Sequence, residues 1–255
     1  MPYDERYTPY IEKLRLLPFI QLVSRSTVNM NPAAISALVD RWRPETHTFH
    51  LRTGEMTVTL QDMSMILALP IDGRPICFNT NSEGWRANME AMIGASPELN
   101  DDPKKNRTPA GATFKWIRLN FAHCPDDANE DPIQRYARVY VWYVISRSLF
   151  ADGSGRTAPW MWLKALSSFE SNLSWGSAAL AYLYRQVIHY TLLSIYHLSN
   201  KFLIVMCLSI FVAGRCVSQG WRPVLHRWPA APTFCLDVGA LLGWTAEKDG
   251  VSALG

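Results

Sequence analysis

Two short runs of alternating polar and apolar residues, 48–51 and 56–60, lie between two segments of helical periodicity. No other feature constrains the fold as tightly. Before the runs, Ile35, Leu38, Val39 and Trp42 fall at i, i+3, i+4 and i+7, one stripe of an amphipathic helix. Pro44 ends that helix, because proline has no N–H to donate and restrains the residue before it. The alternation predicts a β-hairpin over about residues 47–60. Phe49, Leu51, Met56, Val58 and Leu60 share its inner face, and Thr48, His50, Thr57 and Thr59 its outer one. Gly54 falls in the connection, where a positive φ is often needed. Thr59 followed by Asp62 predicts an N-cap with an acidic partner. The helix it opens carries Leu60, Met63, Ile66 and Leu67 and is stopped by Pro70. A two-stranded ribbon is marginal alone, so it must pack on helices.

The rest of the chain extends this pattern. Thr8-Pro9 opens a short helix with Ile11, Leu14 and Leu17 on one side and Pro18 as its stop, and Asn31-Pro32 opens the next. Asp72-Gly73-Arg74-Pro75 is a turn, and Trp85, Met89, Met92 and Ile93 mark a helix. Residues 96–109 are polar and read as an exposed loop. Phe114, Ile117 and Phe121 predict a helix leading into an acidic loop, residues 126–131. Asp131-Pro132 caps a longer, largely buried helix that carries Tyr136, Val139, Tyr140, Tyr143 and Val144 and ends near Phe150. Two more helices are expected around residues 160–169 and 177–188. No internal repeat argues for a solenoid. The expected fold class is mainly α: a helical globular domain with a small β-hairpin packed between helices.

Composition sets outer limits. A chain of 255 residues, 48% hydrophobic with ten tryptophans, buries a sizeable core as one large domain or two small ones. A net charge of +3 is too small to identify nucleic acid as the partner. Five cysteines without a CxxC pair, behind a polar N-terminus with no signal peptide, point to a reducing intracellular compartment. The apolar run at residues 202–214 is only about two-thirds of the ~20 residues a membrane span requires, so no membrane partner is expected.

The string WRPETHTFHLRTGEMTVTLQD, with RYTPYIEKLRLLPFIQL, LALPIDGRPI, ATFKWIRLNFAHCPDD, QRYARVYVWYVISRSLFADGSG and SWGSAALAYLYRQ, strongly resembles the plant mobile domain. That plant family is also labelled "aminotransferase-like". It includes maintenance-of-meristems proteins and long-form homologues of a serine/threonine phosphatase. The resemblance covers roughly residues 4–186. It implies a nuclear domain linked to transposable elements, their silencing and meristem maintenance, with no established reaction. It also singles out motif and interaction candidates: Arg41, Trp42, Arg43, Pro44, Glu45, His47, Phe49, His50, Gly54, Glu55, Gln61 and Asp62. Past Gln186 the family pattern is lost. Residues 1–186 are therefore expected to be a C-terminally incomplete plant mobile domain. Residues 187–255 are expected to be a divergent tail, intron-derived or frame-shifted.

Chemistry adds little to this. His47 and His50 form an HxxH, but three apart on a strand they point to opposite faces, and no Cys or carboxylate at ligand spacing completes a site. Residues 152–156, DGSGR, lack the Lys-Ser/Thr of a phosphate loop and read as an interhelical turn. Cys124 beside His123 has no orienting partner assigned. The aminotransferase-like label asks for a lysine with a phosphate-cupping loop. Lys164 lies in an apolar helix without one. The metal-binding strings of the phosphatase relatives are absent. Arg41 and Arg43 suit phosphate or a partner's carboxylates, but such arginines more often brace a local acid, here Asp40 or Glu45. Lys104, Lys105 and Arg107 fit a short basic import pattern in the exposed loop. The expectation is a non-enzymatic nuclear protein with no catalytic residue, cofactor, metal or small-molecule substrate, acting through nuclear protein partners. Direct nucleic-acid binding is the alternative, and a remnant enzyme the remote one.

Overall fold

The computed structural model describes residues 1–25, 37–52, 54–79, 81–98, 110–151 and 155–193. A turn of 3-10 helix, Glu5–Tyr7, leads into α1 (Thr8–Lys13) and then α2 (Leu17–Arg25). Pro18 does not stop α1. It sits in the first turn of α2, where its missing N–H has no intrahelical partner to lose. The break falls instead at Arg15, whose φ of 60° is left-handed.

The amphipathic stripe also ends earlier than expected. Residues 37–39 are helical, but the chain turns at residues 40–41 and Trp42 enters a strand. β1 (Trp42–Arg43), β2 (Thr48–Leu51) and β3 (Gly54–Met56) form an antiparallel sheet in that order. Trp42 stands opposite Phe49, Phe49 opposite Met56, His50 opposite Glu55 and Leu51 opposite Gly54. Gly54 is thus the first residue of β3, with φ 120°, and not part of the connection. β3 stops at Met56, so Leu60 joins the following helix, α3 (Leu60–Leu67). The capping box that opens α3 is present as expected. Asp62 N donates to Thr59 Oγ1 at 3.3 Å, and Thr59 N donates to Asp62 Oδ2 at 2.7 Å.

The remaining elements are α4 (Trp85–Ile93), β4 (Gly111–Thr113), α5 (Phe114–Asn120), α6 (Glu130–Ser148), β5 (Thr157–Pro159), α7 (Trp160–Lys164) and α8 (Trp175–Leu193). Asn129 holds the N-cap position of α6 in place of Asp131, which lies in its first turn with Glu130. Carboxylates there face the positive end of the helix dipole. α7 stops short of Phe169, and α8 passes through Gln186 unbroken, with Val187 only 1% exposed. The two-stranded ribbon of β4 and β5, three residues to a strand, had no periodicity to announce it. Gly111 permits it: at φ 149° its position faces the Ala158 carbonyl so closely that a Cβ would lie 2.2 Å from the oxygen.

The core forms around α6, where Ala137, Val139, Val141, Trp142 and Ile145 are fully buried. The Trp142 indole donates to the Pro159 carbonyl at 2.9 Å, tying α6 to β5. Arg138 is buried in the same helix with carbonyls for partners. Its guanidinium donates to Leu166 at 2.8 Å and to Met92 at 2.7 Å and covers the Phe169 ring. Burial lowers its pKa, the expected response of a cation removed from water. Phe150 stacks on Trp162, and Tyr182 of α8 meets both edge-on. No helix among the described residues is long and apolar enough to cross a membrane.

Candidate functional site

The motif-bearing sheet is held from beneath by four aromatic rings. Trp42, 1% exposed, meets Phe49 edge-on at 4.7 Å and Tyr184 of α8 at 5.4 Å. His47 lies nearly parallel to Tyr184 at 5.7 Å and meets Trp42 edge-on at 6.2 Å, so the three rings are in mutual contact. Tyr184 also works through its hydroxyl, which donates to the Val58 carbonyl at 2.6 Å and lies 2.9 Å from Thr57 Oγ1. Thr57 Oγ1 in turn donates to the His47 carbonyl at 2.6 Å. His47 reaches this place through a left-handed φ of 54° in the β1–β2 connection. For a branched-chain-free but bulky residue that conformation is uncommon and must be held by its surroundings. The stack on Tyr184 and the bond to its carbonyl hold it.

One seam fixes α8 against the chain that follows α3. Gly176 N donates to the Pro70 carbonyl at 2.8 Å, Ser174 Oγ to Ile71, and Arg74 pairs with Leu173 as an isolated bridge. Gly73 at φ 108° lies under Asn172, whose carbonyl oxygen would sit 2.7 Å from an added Cβ. Arg15 closes the same corner with two bonds of 2.8 Å to Asp72. The strings LALPIDGRPI and SWGSAALAYLYRQ, far apart in sequence, are therefore two halves of one joint.

With its inner face occupied, the sheet turns Arg43, Thr48, His50 and Glu55 outward. Glu55 of β3 clasps β2 at two points, since Oε1 lies 3.0 Å from His50 Nε2 and Oε2 accepts from Thr48 Oγ1 at 3.1 Å. Arg43 stands opposite Thr48 and is exposed, without an ion pair among the described residues. Glu45 is exposed beside it, and Pro44 is half-buried. Arg41 does not brace Asp40 or Glu45. Its guanidinium donates to the Ala37 carbonyl at 2.6 Å and closes the end of the preceding helical turn. Gln61 is exposed at the start of α3.

His47 and His50 do not converge, since one stacks on Tyr184 and the other pairs with Glu55. Among the described residues no three His, Cys, Asp or Glu side chains gather as a metal site. Lys164 does not fit an aldimine-forming role: its ammonium donates to the carbonyls of Asn79 at 3.0 Å and Asn81 at 2.8 Å, fastening that loop to α7. Cys124 is buried while His123 is exposed, and burial pushes the thiol's pKa up, away from the thiolate a nucleophile needs. Lys104, Lys105 and Arg107 lie outside the described residues. Tyr184 is the contact that sequence reasoning missed. Its signal was present in two tyrosines two apart on α8, which a helix directs to different sides.

A helical domain with this hairpin, pinned by Trp42, Phe49 and Tyr184, defines the class. The chain belongs to the plant mobile domain family, whose model matches residues 18–212. Among Arabidopsis thaliana proteins it is 34% identical to MAIN-LIKE 2 over 230 residues, 89% of this chain and 32% of that protein. It is 35% identical to MAINTENANCE OF MERISTEMS over 163 residues, 63% of this chain and 33% of the other. It is also 38% identical to a serine/threonine-protein phosphatase 7 long form homolog over 162 residues, 63% of this chain and 12% of that one. The chain thus spans about a third or less of these relatives. No solved structure matches it.

Proposed function

We propose that this chain is a non-enzymatic interaction domain of the nucleus, acting in transposable-element silencing and meristem maintenance by holding protein partners on the outer face of its hairpin. One observation carries the reading. The motif's apolar residues are consumed in fastening the sheet to α8, while Arg43, His50 and Glu55 stand in solvent on a rigid support. Rigid, mixed-charge surfaces give specificity by complementary charge more than by buried area. The name of one relative, MAINTENANCE OF MERISTEMS, supports the meristem part of the reading.

The test is a pull-down from plant nuclei, with and without nuclease, comparing the parent with an Arg43→Ala/His50→Ala/Glu55→Ala variant. Nuclease-resistant partners are expected to be captured by the parent and lost by the variant. Identical capture by both ends the reading. Nuclear entry is expected to weaken when Lys104 and Lys105 are both changed to Ala, and unchanged import of that tagged variant leaves the loop a spacer. A second reading, direct contact with nucleic acid, is favoured by a different face of the molecule.

A further inference from the structure

Three cations lie about Phe114 at the start of α5. Lys115 and Arg118 project from the exposed side of α5, one turn apart. Arg147, from the last turn of α6, lies over the Phe114 ring at 5.4 Å and donates to Tyr143 Oη at 3.0 Å. The backbone joins here to the chain before β5, since the Arg156 carbonyl accepts from Phe114 N at 2.9 Å. Lys115, Arg118 and Arg147 have no carboxylate within ion-pair distance among the described residues. Burial, and then the charges of Arg118 and Arg147, hold the Met1 amino group's pKa down. Lys115, Arg118 and Arg147 thus gather three positive groups at this end of α5 in a chain whose whole net charge is +3.

We propose that this face, built by α5 and the last turn of α6, contacts the phosphate backbone of nucleic acid without reading its bases. Guanidinium groups match phosphate geometry, and packing on Phe114 and Tyr143 holds Arg147 in place before any ligand arrives. An acidic protein is the competing partner. Protein interfaces draw on an apolar centre, and the one large apolar side chain standing free on α5 is Leu119. Charge alone suits a polyanion, whose contacts need no pocket. The acidic loop that carries Asp126, Asp127, Glu130 and Asp131 limits the footprint. Arg6 bonds to the carbonyls of Pro125 and Asp126, and the five Cα-to-Cα steps from Met1 to Arg6 reach at most about 18 Å. A short run of phosphates therefore fits, and a long one does not. The inference is independent of the hairpin reading.

The full chain is titrated into a fluorescein-labelled 20-base-pair duplex, followed by anisotropy at 50 to 200 mM salt. With about three phosphates neutralised, the slope of log K against log salt is expected near about −2.7, an affinity loss of about 40-fold across that range. Lys115→Glu/Arg118→Glu alters two fully solvated side chains and is expected to weaken binding at least about tenfold and to flatten the slope by about 2. The Arg43, His50 and Glu55 variant is expected to bind like the parent, so failure of either reading is visible separately. The proposal is overturned by absence of saturable binding at 50 mM salt. It is equally overturned if the Lys115→Glu/Arg118→Glu protein, with an unchanged melting curve, binds the duplex as the parent does. Displacement of the duplex by a deca-glutamate peptide at lower concentration than by unlabelled duplex, matched for total charge, assigns the face to an acidic protein and also overturns it.

Discussion

Single residues here act mainly through space that only they leave open. Gly111 is the strictest case, because a methyl group would collide with the backbone oxygen of Ala158, which no side-chain rotation relieves. Gly111→Ala is expected to cost about 3 kcal/mol or more in urea unfolding, the range of a locked backbone clash. Gly176→Ala meets Ile71 Cγ2 at 2.7 Å and the Pro70 carbonyl oxygen at 3.2 Å, a looser approach to backbone than the 2.2 Å at Gly111, and should cost less. Gly54→Ala meets nothing within 4 Å, so only its φ of 120° opposes it, at about 1 kcal/mol. An inverted order of these three would contradict the packing described. Charge acts at this scale too. The Arg15 guanidinium, by its bonds to the carboxylate, holds Asp72 below its ordinary 3.8. Such a group stabilises the fold above its unfolded pKa and loses that contribution as pH falls through the lower folded value. Asp72→Asn is therefore expected to flatten the acid limb of the stability curve below about pH 4, read by chemical unfolding at stepped pH.

Elements are held to one another by a few paired rings and hydroxyls. The sheet reaches α8 through Trp42 and Tyr184, and these two contacts differ in kind. Trp42→Ala removes a fully enclosed ring and is expected to cost about 3 to 5 kcal/mol. Tyr184→Phe keeps the ring and loses the bond to Val58, about 1 kcal/mol, while leaving Val58 and Thr57 to find other partners. Hydrogen exchange should report both as faster opening of β2 and β3, with α6 amides unaffected by Tyr184→Phe. Equal acceleration in α6 would mean that sheet and core open as one unit.

At the scale of the molecule, α8 carries the described chain to its C-terminal end at Leu193. A foreign segment beginning at Val187, from a retained intron or shifted frame, remains a proposal. α8 runs on to Leu193 with Val187 packed in the core, and the family match reaches residue 212, which both argue for a later start. Limited proteolysis is expected to leave a fragment ending at or beyond Leu193. Cleavage at residue 187, or a transcript joining the codon of Gln186 to a different continuation, would restore the earlier boundary.

The pattern of residues alone determined what depends on neighbours in sequence. Alternation announced β2, the Thr59–Asp62 pair announced its capping box, and Trp85, Met89 and Ile93 announced α4, because each is a period or a cap within one turn or one strand. Local pattern failed where a distant partner decides. Trp42 completes a helical stripe on paper but pairs with Phe49, since a strand there lets its ring reach Tyr184. β4 and β5 are three residues each, too short to show a period, and exist because Gly111 admits the Ala158 backbone. The approach of Arg147 to Lys115 and Arg118 was equally invisible, since about thirty residues of sequence give no sign that its guanidinium covers Phe114. Period and capping are properties of the local backbone, and the tertiary structure alone decides which faces meet.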